Sequence, residues 1–368
     1  MSTTQEQAPA LKEIFNQQRL MHIADAMHAV HPTFDRQGFV QRAGHGLAEL
    51  SLMQRLARVS ESLHQVLGLD YPASLELLQA LAPRLNSRFV CIFLPHYVAS
   101  YGLHDFERSM AALKYFTGFG SSEFAVRHFL RQDCQRTLAV MHEWATDSDE
   151  HVRRLPSEGS RPRLPWSFRL EQLQADPQLA APILERLRND PSLYVRKSVA
   201  NHLNDITKEH PQWVLERLEG WPLEQPHSAW IARHALRSLI KQGDRRALAL
   251  IGAGARAEVQ VCRFQVAPGQ LRLGDSLNLS LTLVSTCSHE QRLVVDYAID
   301  YVKASGATAS KVFKLKTFTL QGLAQVELGR SQQIRELTTR RHYPGRHGVR
   351  LLVNGEPLAS SHFQLLMP

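Results

Sequence analysis

Ser-Asp-Glu-His-Val-Arg-Arg, at residues 148–154, joins a turn to the start of a helix, and the chain repeats this arrangement. Residues 190–197 read Asp-Pro-Ser-Leu-Tyr-Val-Arg-Lys, and residues 227–234 read His-Ser-Ala-Trp-Ile-Ala-Arg-His. An earlier echo, Ser-Glu-Phe-Ala-Val-Arg-His, lies at 122–128. The later stretches are separated by roughly 35–45 residues, the period of HEAT and armadillo helix pairs. Such pairs stack into a solenoid with a concave binding surface, so we predict a HEAT-like α-solenoid.

Helical character extends over the first 255 residues. Apolar residues recur there at three- and four-residue spacing, as at Leu56, Val59 and Leu63. Glycine and proline lie mostly between such stretches, where helices end. The chain is therefore predicted to be mainly α, with a HEAT-like helical repeat domain at residues 1–255.

A different pattern begins near residue 256, where apolar and polar residues alternate as they do along strands. The alternating runs lie at 259–266, 277–283, 294–299 and 312–320. Turn signals separate them, namely Pro-Gly at 268–269, Gly-Asp at 274–275, Ser-Gly at 305–306, Pro-Gly at 344–345 and Asn-Gly at 354–355. We predict an immunoglobulin-like β-sandwich at 256–368.

Composition excludes several classes of protein. Of the 368 residues, 43% are hydrophobic and 21% charged, which argues against disorder. No uncharged apolar run is long enough to cross a bilayer, and the first ten residues lack an apolar signal core. We expect a cytoplasmic protein that does not associate with membranes. The net charge of +8 favours an anionic partner such as nucleic acid.

The cysteines and histidines predict no metal site. The four cysteines do not form a Cys-x-x-Cys pair, and the 18 histidines show no His-x-x-x-His spacing. In a reducing cytosol the cysteines are expected to be small buried apolar residues.

Basic residues recur in the repeats and in the sandwich. Those of the repeats are Arg127, Arg153, Arg154, Arg196, Lys197, Arg233 and Arg237. Those of the sandwich are Arg335, Arg340, Arg341, His342, Arg346, His347 and Arg350, and residues 340–347 are predicted to form an exposed loop. A curved row of cations fits a phosphate backbone. The alternatives are ion pairs between neighbouring repeats and, in the sandwich, a solvated loop.

The most unusual stretch is Leu-Pro-Ser-Glu-Gly-Ser-Arg-Pro-Arg-Leu-Pro-Trp at 155–166. Three prolines and a glycine are expected to interrupt a repeat helix there, at a cost in helix stability. This cost indicates that the segment positions functional side chains, and the candidates are Glu158, Arg161 and Trp166.

This stretch, the HEAT-like half and the sandwich with Tyr-Pro-Gly-Arg-His at 343–347 together resemble the bacterial DNA-alkylation-repair glycosylases of the AlkC family, relatives of AlkD. Pro156 departs from the small helix-forming residue that we expect before Ser-Glu. The resemblance covers essentially the whole chain. It implies hydrolysis of the N-glycosidic bond of cationic alkylated bases, notably 3-methyladenine and 3-methylcytosine, to leave an abasic site without flipping the base.

The resemblance also implies that the domain at 1–255 carries catalysis and DNA binding and that the sandwich at 256–368 clamps DNA. It implies site residues as well. Glu158 would be the principal catalytic carboxylate, Trp166 would pack against the deoxyribose and the lesion, and Asp205 and Glu123 would bring further carboxylates from neighbouring repeats. Arg161 would hold a phosphate or orient Glu158. The alternatives are a local Glu158–Arg161 ion pair, a core position for Trp166, and capping or helix-dipole roles for Asp205 and Glu123.

The expected partner is double-stranded DNA that contains alkylated bases, bound by a monomer at the bacterial nucleoid without a cofactor. The predicted DNA-contacting residues are Arg161, Arg163, Arg154, Arg196, Lys197, Arg233, Arg340, Arg341, Arg346 and His347. Two other functions compete with the glycosylase, a non-catalytic HEAT-like binder of DNA structure and a protein-interaction scaffold. Steep loss of DNA affinity with salt would separate DNA binding from the scaffold.

Overall fold

A computed structural model describes residues 11–337 and 340–367. Helices fill the chain up to Leu250 and strands follow from Val259, as predicted for a mainly α chain that ends in a β domain. The α-helices of the described residues, numbered α1 to α16, are Gln17–Val30, Arg36–Gly44, Leu52–Leu67, Tyr71–Leu81, Phe93–Tyr101, Phe106–Thr117, Val126–Gln132, Cys134–Trp144, Glu150–Gly159, Glu171–Ala175, Ala181–Arg186, Leu193–Ile206, Pro211–Glu219, Pro226–Ala235, Arg237–Gln242 and Arg245–Leu250. Short 3₁₀ helices are Leu11–Ile14, Leu47–Glu49, Ala82–Arg84, Val90–Ile92 and Pro177–Ala180.

The strands, β1 to β8, are Val259–Ala267, Gln270–Arg272, Ser276–Ser285, Gln291–Val302, Thr308–Leu320, Gln325–Gln333, Gly345–Val353 and Glu356–Leu366. They form a three-stranded sheet of order β1-β3-β6 and a five-stranded sheet of order β2-β8-β7-β4-β5. Only the β2–β8 pair is parallel among the pairs of named strands in the described chain. The sandwich prediction is therefore confirmed, and the strands that the sequence pattern had not located are β2, β6, β7 and β8.

Packing divides the chain into two compact units between Glu209 and His210. The first unit contains α1 to α12, and the second contains α13 to α16 with all the strands. Helix α15 contacts strand β5, and Arg245 forms an ion pair with Glu356 on β8 at 2.7 Å. The last four helices thus belong to the same packed unit as the sandwich, and the functional boundary at residue 255 stays a prediction.

Local sequence explains the helix starts of the repeats. Asp149 accepts a hydrogen bond from the backbone N–H of His151 at the start of α9, and Ser192 does the same for Tyr194 at the start of α12. At the first turn of α9, the Arg153 side chain donates to the carbonyls of Asp147 and Ser148. Equivalent stretches of sequence therefore build equivalent helix starts.

The Asn-Gly turn between β7 and β8 also behaves as its sequence predicts. Asn354 and Gly355 both have positive φ, 48° and 81°, as a two-residue hairpin loop requires. The Asn354 side chain also accepts from the N–H of Val294 and so ties the turn to β4.

None of the helices in the described ranges is long and apolar enough to pass through a bilayer.

Candidate active site

Helix α9 continues through Pro156, and the interruption predicted for residues 155–166 begins only after Gly159. It runs from Glu150 to Gly159 with Pro156 inside it, so Glu158 lies on its last turn. The end is capped by Ser160, whose hydroxyl donates to the Pro156 carbonyl at 2.5 Å. The interruption begins at Ser160, and it separates Glu158 on a rigid helix from Trp166 in the following loop.

The three predicted carboxylates come together around two arginines. Arg154 Nη1 lies 2.6 Å from Glu123 Oε2, and its Nη2 lies 3.6 Å from Glu158 Oε2. Arg161 Nη1 lies 2.6 Å from Glu158 Oε1, and its Nη2 lies 2.8 Å from Asp205 Oδ2. We call Glu123, Arg154, Glu158, Arg161 and Asp205 the carboxylate–arginine chain. Its charges alternate along its length, and each arginine bridges two acids.

Different elements supply the members of this chain. Glu123 lies in the turn before α7, Arg154 and Glu158 lie on α9, and Asp205 lies near the end of α12. Because α9 packs directly on α12, the acids of these two helices face each other. Glu158 and Asp205 are each only 5% exposed. Removing buried carboxylates from water is costly unless they are paired, and the two guanidinium groups provide that pairing.

Within the carboxylate–arginine chain itself, the carboxylates outnumber the guanidinium groups by one. The buried guanidinium of Arg127 adds a further positive charge that interacts with Asp205. Burial opposes the charge on Arg161, but the adjacent carboxylates of Glu158 and Asp205 outweigh it and raise its pKa. Three carboxylates thus face two permanently charged guanidinium groups. Lys208 lies 3.3 Å from Asp205, but its side chain is 47% exposed and solvent screens its charge. The site is suited to hold a developing cation.

A neutral histidine holds the two helices in register. His202 of α12 is buried, and burial lowers its pKa to about 3. Its Nδ1 lies 2.9 Å from the Ser157 carbonyl, which can only accept, so the neutral ring carries its proton on Nδ1. His202 is not among the site residues predicted from the sequence. It lies three residues before Asp205 on the same helix, and this spacing places the two side chains on one face.

Trp166 is not a core residue. Its side chain is 63% exposed, which rules out the alternative of a buried anchor. Its backbone φ is 66°, in the left-handed region that bulky residues avoid. A residue keeps such a conformation only when the surrounding structure holds it there. Trp166 and Phe168 line a cavity of about 170 Å³ together with His96 and His128. Burial lowers the pKa of His96 to about 4, so its ring is neutral beside the tryptophan.

Gly159 lets α9 approach α7 closely. A Cβ at position 159 would lie 2.4 Å from Cγ1 of Val126, well inside any normal contact. Val126 is fully buried and β-branched, so it cannot rotate away. Glycine at this position therefore sets how closely the turn that follows Glu158 approaches the start of α7.

We expect Gly159→Ala to lower the free energy of unfolding by about 1–3 kcal/mol, because it overpacks this contact. Thermal or urea unfolding measures the loss. Gly118→Ala is the matched control, since the nearest atom to its Cβ, the Tyr115 carbonyl oxygen, lies at 3.4 Å. If both variants are as stable as the wild type, the contact does not fix the end of α9.

Several predicted DNA-contacting arginines are already used within the fold. Arg163 pairs with Glu209, and Arg196 donates to the carbonyls of Asp190 and Pro191. Arg340 packs over the Tyr301 ring at 4.4 Å. Arg161 is 8% exposed and occupied by two carboxylates, which favours orientation of Glu158 over phosphate binding.

The alternative of ion pairs between repeats fits Arg153. Its Nε lies 2.7 Å from Asp190, which belongs to the next repeat. Arg127 is fully buried and also cannot contribute to an exposed basic row.

The prediction that His347 contacts DNA is wrong. Residues 345–347 open β7 and are not part of a loop, and His347 is fully buried with its ring stacked on Phe363. Its Nε2 lies 3.1 Å from the Tyr343 carbonyl. The signal that was overlooked is the alternation of strand β7, in which His347 shares the buried face with Val349 and Leu351.

Among the cations predicted to contact DNA, those that are exposed in the structure are Lys197, Arg233, Arg341 and Arg346.

In the second unit, Glu258, Cys287 and His289 bring their ligand atoms within 4.8 Å of one another. Glu258 and His289 are exposed, and they already approach each other as an ion pair at 3.6 Å. This group is the one candidate for metal binding in the described part of the chain, and none of its residues belongs to the carboxylate–arginine chain.

The helical repeats with clustered carboxylates, followed by an immunoglobulin-like sandwich, place the chain among the repeat-based DNA alkylation repair enzymes. A family model described as "DNA alkylation repair enzyme" matches residues 114–239. A second, described as "Uncharacterised protein YhaZ, C-terminal Ig-like domain", matches residues 260–367.

Two relatives match nearly the whole chain. "Uncharacterized protein YhaZ" of Bacillus subtilis is 40% identical, over 96% of this chain and 99% of its own length. A solved structure, "Pseudomonas fluorescens alkylpurine DNA glycosylase AlkC bound to DNA containing an abasic site analog", is 68% identical with a TM-score of 0.95. It covers 97% of this chain and 100% of its own. The chain belongs to the AlkC family of alkylpurine DNA glycosylases, and the resemblance drawn from its sequence is confirmed.

Proposed function

We propose that this protein hydrolyses the N-glycosidic bond of cationic alkylated bases in double-stranded DNA, 3-methyladenine and 3-methylcytosine in particular, and leaves an abasic site. The carboxylate–arginine chain is the observation that carries the proposal. It concentrates three carboxylates, from helices α9 and α12 and from the turn before α7, in the same unit as an exposed tryptophan. The Pseudomonas fluorescens relative was solved with DNA containing an abasic-site analogue, which supports the same partner here.

The chemistry follows from the charge of the substrate. A base alkylated at N3 is already positive, so it departs without a general acid. Its departure leaves an oxocarbenium-like deoxyribose. Fixed carboxylates stabilise such a cation more in the transition state than in the ground state, which is the condition for catalysis.

Glu158 is the principal carboxylate in this proposal. It lies at the centre of the carboxylate–arginine chain, between Arg154 and Arg161, and both arginines restrict its rotation. Asp205 and Glu123 flank it through the same arginines and extend the negative field. One of these carboxylates orients the water that attacks C1′ as the base leaves. Arg161 acts as a positioning residue, because its guanidinium fixes both Glu158 and Asp205.

Trp166 supplies the aromatic surface. The face of an indole attracts a cation within about 6 Å of the ring, and the substrate offers both a cationic base and a cationic sugar. The ring stands out from the surface on a strained loop. This exposure supports contact with a lesion that stays in the duplex without being flipped into a pocket.

The exposed cations Lys197, Arg233, Arg341 and Arg346 are the proposed phosphate contacts. Lys197 belongs to the same unit as the carboxylate–arginine chain, whereas Arg341 and Arg346 belong to the sandwich, whose proposed role is to clamp DNA. Each phosphate contact releases counterions from the DNA when the protein binds. The affinity for DNA should therefore fall steeply as the salt concentration is raised.

The deciding experiment is release of the free base from a duplex containing 3-methyladenine or 3-methylcytosine, under single-turnover conditions with a chelator present. We expect release that leaves an abasic site, with no strand cleavage by the enzyme. A duplex with the same sequence but no lesion is the control.

Two other outcomes would overturn the proposal in different ways. If no base is released but DNA binds tightly and in a salt-sensitive manner, the protein binds DNA structure without catalysis. If DNA does not bind even at low salt, the helical repeats serve as a scaffold for another partner.

A further inference from the structure

Arg127 is the most deeply buried charged group around the proposed site. It lies at the start of α7, next to Val126, and its side chain is fully inaccessible to solvent. A buried guanidinium is costly unless its hydrogen bonds are satisfied. The sequence suggests that Arg127 belongs to a row of basic residues that binds phosphates, and its burial excludes that role.

The acceptors of its hydrogen bonds are backbone carbonyls of a single segment. Nη1 donates to the carbonyls of Gly159 and Arg161, at 2.9 and 2.6 Å. Nη2 donates to the carbonyl of Phe168, whereas Nε has no hydrogen-bond partner among the described residues. The guanidinium carbon also lies 5.4 Å from the centre of the Phe168 ring.

These three carbonyls bracket the residues proposed to carry the chemistry. Gly159 directly follows Glu158, Arg161 supplies the bridging guanidinium, and Phe168 lies two residues beyond Trp166. A turn containing Pro162 and Pro165 has few backbone donors of its own to hold these carbonyls. A planar guanidinium can satisfy several carbonyls at fixed angles, which a lysine ammonium cannot do.

We propose that Arg127 is a positioning residue that holds residues 159–168 as a rigid unit and thereby sets Trp166 and Arg161 relative to Glu158. The left-handed backbone of Trp166 fits this role, because a strained residue persists only where its neighbours are fixed. The inference rests on the proposed catalytic role of Glu158. It concerns the support of the site and not its chemistry.

Hydrogen exchange of the wild-type protein tests the inference without any variant. The backbone N–H groups of Arg161, Ser167 and Leu170 all donate within residues 158–170. If Arg127 holds the segment, these amides exchange about as slowly as those of α9. Exchange at the rate of an open loop would overturn the proposal, and this readout does not depend on glycosylase activity.

Arg127→Lys gives the second test. Lysine retains the charge, but its donors all lie on one nitrogen atom and cannot reach the three carbonyls together. We therefore expect faster amide exchange that is confined to residues 159–170. We also expect an excision rate constant about tenfold lower at saturating enzyme, with affinity for abasic-site DNA within twofold of wild type. Small misplacements of catalytic groups have effects of this size or larger.

Arg131→Lys is the matched control. Arg131 lies one turn further along α7 and its guanidinium stacks 3.6 Å from the centre of the same Phe168 ring, but it is exposed. We expect that variant to match the wild type. Wild-type excision and exchange in Arg127→Lys would overturn the proposal. Fast exchange without any excision in the wild type would contradict both the positioning role of Arg127 and the glycosylase activity. Slow exchange without excision would contradict the glycosylase activity alone.

Discussion

Glu158→Gln is expected to lower the single-turnover rate constant of base excision at least 100-fold. The substitution keeps the size of the side chain but removes the charge that we propose to face the oxocarbenium-like sugar. Loss of one preorganised electrostatic contact to a transition state typically costs 10²–10³ in rate. Base release from a 3-methyladenine duplex, at saturating enzyme, measures the effect.

The fold should tolerate this change, because each arginine of the chain keeps another carboxylate. Arg154 retains Glu123, and Arg161 retains Asp205. Thermal unfolding and affinity for abasic-site DNA should therefore stay close to wild type. Glu150→Gln is the matched control, since Glu150 is an exposed acid on the first turn of the same helix. An excision rate unchanged in Glu158→Gln would limit Glu158 to a structural role.

Trp166→Ala is expected to lower the same rate constant about 30-fold. Docking on DNA removes water from the indole face, and a desolvated cation–π contact is worth about 2 kcal/mol. Because the side chain is 63% exposed in the free protein, the melting temperature should not fall. A lower excision rate with an unchanged melting temperature distinguishes a residue that acts on the substrate from one that stabilises the core.

Trp166→Phe serves as the graded control, since it keeps a smaller aromatic face and should lose less activity than Trp166→Ala. If Trp166→Ala unfolds at a clearly lower temperature, the indole has a packing role that its exposure does not suggest. If both variants excise at the wild-type rate, the aromatic face does not contact the reacting groups.

Local patterns were enough to predict the two kinds of secondary structure. The repeated helix starts and the alternation of strands such as β3 are properties of a few adjacent residues, and both were confirmed. The family resemblance then supplied the acids of the site. Glu158 and Asp205 are 47 positions apart in the sequence, and only the packing of α9 on α12 brings them to the same arginine.

Pairing across helices explains what the sequence could not show. The pairs Arg154–Glu123 and Arg153–Asp190 depend on which helices stack, so the sequence left open whether these arginines contact DNA or form ion pairs between repeats. The burial of Arg127 depends on the same packing, and nothing in its residue type indicates it. His347 is different, because the alternation of β7 was present in the sequence and was outweighed by the surrounding basic residues.

The carboxylate–arginine chain also limits how this protein can evolve. Because Arg154 and Arg161 each serve two acids, the effect of changing any one member depends on which residues occupy the others. Neighbouring positions that share partners are not additive, so substitutions here are epistatic. A library intended to change lesion preference should therefore vary these five positions jointly, since single replacements test each residue only against partners selected for the original one.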